Sequence, residues 1–220
     1  MRLFRPSRRV RWRYNATMSK ALPQSDLKDA SKAGLDAALG EANGQFRAAL
    51  EALSAERFFV RPEPSAWSAA EHARHLITSV NAVAKGLTYP KWVIRLRFGK
   101  SRGSRAYGEV VADYQARLAS GGRASGRFVP PSEVPAAGDQ AEEQRRLVER
   151  WQRACGRLAT GLESWTERDL DRLSFPHPLL GKLTVREMLL FTRYHNLHHA
   201  LRVEEMAVAD PGHRDSYGDS

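Results

Sequence analysis

Cysteine is almost absent from this 220-residue chain, with Cys155 standing alone, so no internal disulfide framework can hold the fold. That usage fits a reducing compartment and gives a cytoplasmic expectation. Long apolar runs are missing too: no stretch approaches the ~20 apolar residues of a membrane helix, and no membrane partner is expected. Acids are absent from residues 1–17, MRLFRPSRRVRWRYNAT, which carry six arginines. Without those six, 35 basic residues fall to 29 against 25 acidic ones, and the net +10 falls to +4. The charge is a property of this segment, so nucleic-acid binding is not expected from it. The segment shows no helical period and lacks the roughly 7–15 apolar residues of a secretory signal. It reads as a flexible basic arm, an organelle-type presequence, or a stretch preceding a true start at Met18, with the arm and the later start favoured. Neither an internal repeat nor a convincing strand is visible.

What is present is helical period. Between about residues 25 and 57, Leu35, Leu39, Ala42, Phe46, Ala49 and Leu53 fall three or four apart. Pro62 and Pro64 then mark a loop. Ser68-Ala-Ala-Glu71 is a capping box, starting a second helix that runs to about Leu87. A third spans about 139–167, with Leu147, Trp151, Ala154, Leu158, Leu162 and Trp165 as its stripe. LSFPHPLLGKL (173–183) reads as a Pro/Gly turn, and Thr184-Val-Arg-Glu187 caps a fourth helix reaching about Met206. Residues 88–138 read as an irregular basic connection with one short helix near 107–118. Fifty residues exceed what two antiparallel neighbours need, and are enough to return the third helix parallel to the second. The expectation is an all-α four-helix bundle over 25–206, flanked by an arm (1–24) and a tail (207–220).

Three of the seven histidines fall in YHNLHH (194–199). His195 and His199, four apart, share the inward stripe of the fourth helix and can converge on one ion. Two unpaired imidazoles in a core are costly, which favours a metal over a pair of merely packed histidines. Asn196 stands where an HExxH protease needs its glutamate, so that reading falls away. A catalytic tetrahedral site wants three protein ligands and an open position. His72, His75, His177 and His213 are the candidates for the third. His75, well inside the second helix, is preferred; His72, in the first turn and a half, reads as a surface residue. Glu71 is either only a cap or also an orienting partner for an imidazole.

WSAAEHARHL (67–76) and HPLLGKLTVREMLLFTRYHNLHH (177–199) resemble the two signatures of the DinB-like superfamily of four-helix bundles, and the resemblance spans about residues 25–206. It implies an up-down-down-up bundle with a long crossover between helices two and three. It also implies a divalent metal, zinc or nickel, on His75, His195 and His199. Relatives of this kind include thiol S-transferases and isomerases, using low-molecular-weight thiols, and metal-dependent hydrolases.

The expected function is therefore a metal-dependent hydrolase or thiol transferase acting on a small molecule. Such a metal lowers the pKa of bound water to ~7 or holds a thiolate. His198, Glu71 and Tyr194 are the candidate acid–base groups, none compelling, and Cys155 reads as packing. Arg95, Arg97, Arg102, Arg105, Arg123 and Arg127 either meet an anionic substrate at the bundle mouth or form a solvated basic loop, the favoured reading. The alternative class is a non-catalytic bundle or homodimer whose metal only ties helices together, with a fourth ligand such as His177 or Glu71. Nucleic-acid binding through the basic arm ranks below both.

Overall fold

The computed structural model describes residues 31–101 and 103–208. The basic arm 1–24, Arg102 and His213 lie outside the described residues, as does the expected tail, apart from Ala207 and Val208, which continue the last helix. Ser31 opens α1 (Lys32–Glu51) by accepting the Gly34 amide at 3.2 Å. Leu35, Leu39, Ala42, Phe46 and Ala49 form its buried stripe. The helix stops at Glu51 rather than running to Arg57, because Ser54 caps a new short helix, α2 (Ala55–Phe58).

The Ser68–Glu71 capping box is present at the start of α3 (Ala69–Leu87). The connection 88–138 is more regular than expected: it holds α4 (Lys91–Phe98) as well as α5 (Tyr107–Ala119). Pro90 reads as a breaker, yet it stands just before α4, where its fixed φ fits and its missing N–H costs nothing. α6 (Gln140–Glu163) ends early because Thr166 and Asp169 cap a separate short helix, α7 (Glu167–Arg172). The Pro/Gly turn is corrected to a hairpin. β1 (Ser174–His177) pairs antiparallel with β2 (Gly181–Thr184), Ser174 opposite Thr184 and His177 opposite Gly181. Its Phe175 seats against α3 at Gly86, where a Cβ would lie 3.2 Å from Cζ of the ring. Thr184 and Glu187 then cap α8 (Val185–Val208) reciprocally, at 3.1 and 2.9 Å.

Inter-helix contacts fix the topology. Gln144, Trp151 and Lys32 tie α6 to α1 in opposite order, through Leu50, Asn43 and Glu163, so these helices are antiparallel. Arg157 meets Asn81, and Gly161 meets Leu87, so α6 runs parallel to α3. Asn43 and Gln45 meet Asn196 and Glu204, so α1 runs parallel to α8. The bundle is up-down-down-up, with 88–138 as its crossover. The crossover docks along α8, Arg105 bonding Glu187 and Gln115 bonding Tyr194. It returns to α3, where Arg74 donates to the Pro131 and Glu133 carbonyls.

Trp151 anchors the core: it is 1% exposed, lies edge-on to Phe46 at 5.0 Å, and donates to the Asn43 carbonyl. Trp151→Ala is expected to cost about 3–5 kcal/mol, read as a lower urea midpoint at unchanged m.

Candidate metal centre

Because α3 and α8 are antiparallel, their histidines face each other in register. His75 lies opposite His195, and His72 opposite His199. The Nε2 atoms of His75 and His199 each stand 3.1 Å from Nε2 of His195. One ligand nitrogen from each of the three lies within 4.8 Å of the others, and all three residues are buried. This convergence belongs to the two sequence motifs, 120 positions apart.

A backbone neighbour decides the tautomer of His75. His75 Nδ1 is 2.7 Å from the Phe128 carbonyl. A carbonyl only accepts, so Nδ1 carries the proton and Nε2 turns its lone pair to the cluster. His199 Nδ1 is 2.6 Å from Nδ1 of His72. Burial and then the adjacent imidazoles push His195 and His199 well below the ordinary histidine value. Burial lowers His75 despite the Phe128 bond, and burial, then His198, His75 and Arg202, lower His72 to about 3. All four are neutral near pH 7, the form in which an imidazole nitrogen binds an ion. A three-nitrogen set of this kind suits a divalent transition-metal ion.

The expectation of a surface His72 is corrected: it is 8% exposed. Trp67 covers it, its ring 5.5 Å from His72, 5.0 Å from His75 and stacked 6.1 Å from His199. Phe191 stacks on His195 at 5.0 Å from the other side. Trp67 opens the 67–76 signature, but the sequence reading gave its ring no role at the site, although an aromatic just before an N-cap is the position of a hydrophobic staple.

The remaining candidates separate. Glu71 accepts from Arg61 and from the Ser68 amide, so its carboxylate is spent on the cap and the preceding loop. Burial raises its pKa, but those bonds outweigh burial and hold it below the ordinary value. Tyr194 is buried, and its hydroxyl accepts from Gln115 at 3.1 Å. His198 lines the cavity beside the cluster, its ring 5.3 Å from His199 and stacked on Tyr194. Its Nδ1 is buried without a partner among the described residues, and burial lowers its pKa to about 4. His177 accepts the Leu179 and Leu180 amides through Nδ1, closing the hairpin turn. Asn196 bonds Asn43, pinning α8 to α1. Cys155 is half-buried against the core, its thiol pushed up to about 12 by burial.

The cluster forms part of the wall of a cavity of about 1250 Å³. Arg105 is not part of a solvated loop, because Glu187 and Asp113 hold it. Arg123 and Arg127 do reach the cavity.

An up-down-down-up helical bundle carrying a buried three-histidine cluster at a cavity is the class that fold and site define. The chain belongs to the DinB superfamily, whose family model matches residues 38–202, well over half its length. No curated protein and no solved structure matches it. No helix among the described residues is long and apolar enough to cross a membrane.

Proposed function

We propose that this protein is a metal-dependent enzyme acting on a small molecule, with His75, His195 and His199 holding a divalent zinc or nickel ion. The observation that carries this reading is the convergence of three buried imidazole nitrogens at the wall of a large cavity. The surrounding residues support it: the Phe128 carbonyl orients His75 and His72 orients His199, as partners behind metal ligands do. A divalent ion bound there supplies Lewis acidity, activating water for hydrolysis or a low-molecular-weight thiol for transfer.

His198 is the residue best suited to move a proton. It lines the cavity, is neutral near pH 7, and offers an unpartnered nitrogen. Glu71 and Tyr194 are engaged elsewhere. A closed, purely structural metal site has less support, since neither fourth-ligand candidate joins the converging group: Glu71 is held by Arg61, and His177 spends Nδ1 on the hairpin amides.

The test is turnover of an ester panel, and of thiol–electrophile pairs, by chelator-stripped protein reloaded with zinc or nickel. Activity should appear only on reloading and vanish in His195→Ala. In His198→Ala the rate should fall by about 10²–10⁴ with metal content unchanged. Equal rates before and after loading, or no turnover of either class, would overturn the enzymatic reading.

A further inference from the structure

Charge around the cavity is one-sided. Its lining includes six cationic side chains, Arg57, Arg61, Lys85, Arg123, Arg127 and Arg202, against the acids Glu63 and Glu205. Glu71 occupies Arg61 and Glu205 bonds Arg202. Arg57, Lys85, Arg123 and Arg127 form no ion pair with a described carboxylate, and of these Arg123 and Arg127 share one limb of the chain. Those two are exposed, and Arg127 lies over the Phe128 ring at 5.0 Å.

Their position is fixed by the fold. They sit on the returning limb of the crossover, and from Tyr114 to Ser132 the chain has three arginines and no acid. The limb is tied down on both sides of the metal cluster's edge. Phe128 accepts from His75, while the carbonyls of Pro131 and Glu133 accept from Arg74. A cationic wall is thereby held one residue from a contact to a metal-ligating imidazole. The same lining includes the aromatic side chains Tyr114, Phe175 and Phe191. Guanidinium groups facing an apolar cleft of this size match a molecule with a charged head and a flat body, since charge-assisted pairs to arginine are bidentate and strong.

We infer that the cavity binds an organic carboxylate, its anionic group met by Arg123 and Arg127 and its apolar body held against the aromatic lining. The inference takes the cavity to be the ligand site of the proposed function, and it does not depend on the ion.

The test is calorimetry on the full chain, stripped of metal, with naphthalene-2-carboxylate and its neutral isostere naphthalene-2-carboxamide. Wild type should prefer the carboxylate about tenfold or more. The Arg123→Gln/Arg127→Gln double variant should lose that preference while binding the amide as before. Arg95→Gln/Arg97→Gln, which makes the same charge change outside the cavity lining, should keep the preference within about twofold. Equal wild-type affinity for the two probes, no binding of either, or equal loss in both double variants would overturn the carboxylate site. Since stripped protein is used, a failed metal reading leaves this result intact, and the reverse holds too.

Discussion

Protein purified without a histidine tag is expected to carry about one divalent ion per chain, and His75→Ala or His195→Ala to carry none. The reason is geometric: three neutral nitrogens converge, and removing one leaves two on adjacent turns of a single helix or split between two helices. A graded change is expected behind the ligands. His72→Phe keeps the ion but weakens its affinity about 10–100-fold, because His199 loses the acceptor that fixes its proton on Nδ1. His72→Asn, whose amide oxygen reaches the same place, should recover most of the loss. Metal analysis and chelator competition measure both effects. The ion should also stabilise the fold, by about 4 kcal/mol at a thousandfold excess over Kd. Wild type that stays metal-free in added zinc or nickel, with an unchanged melting temperature, sinks the site.

Acid should unfold the stripped protein steeply. In the unfolded chain each histidine titrates near 6.5, whereas burial holds His72, His75, His177, His195, His198 and His199 below that in the fold. The sign follows: above about pH 6.5 neither state takes up these protons and the stability is complete. As pH falls below 6.5, the unfolded chain binds protons that the folded one refuses, so stability drops. Each such histidine contributes about 1.4 kcal/mol per pH unit over that window. Six acting together would exhaust a usual reserve of about 5–15 kcal/mol within a few pH units. Urea titrations from pH 7 to 4.5 measure the slope, and His72→Phe should reduce it by about a sixth. A flat profile between pH 6.5 and 5 contradicts the burial of neutral imidazoles.

Helix starts were legible because they are local. The Ser68–Glu71 and Thr184–Glu187 boxes name their own hydrogen bonds in four residues. The Thr166–Asp169 box was equally visible, yet a six-residue helix hides inside a longer apolar period. The pairing of His75 with His195 and His199 came from spacing and resemblance. His72 was misplaced for a reason outside its own helix. Counting turns from Ser68 put it near the surface, and only the packing of Trp67 over the cluster buries it. The hairpin 174–184 was hidden by its prolines, since Pro176 sits within a strand only four residues long. The crossover's path, and with it the place of Arg123 and Arg127, depends on contacts to Arg74, His75 and Tyr194, which no local pattern announces.

The contact between His75 and residue 128 is made by a main-chain oxygen. Any amino acid at that position carries the same oxygen, so the imidazole's orientation is indifferent to what the limb displays as side chains. The helices carry the stability and the histidine cluster, and the returning limb is a template on which the proposed head-group preference can be rewritten. Exchanging Arg123 and Arg127 for acids, amides or apolar residues would redirect the cavity to other molecules without asking the clustered histidines to adjust.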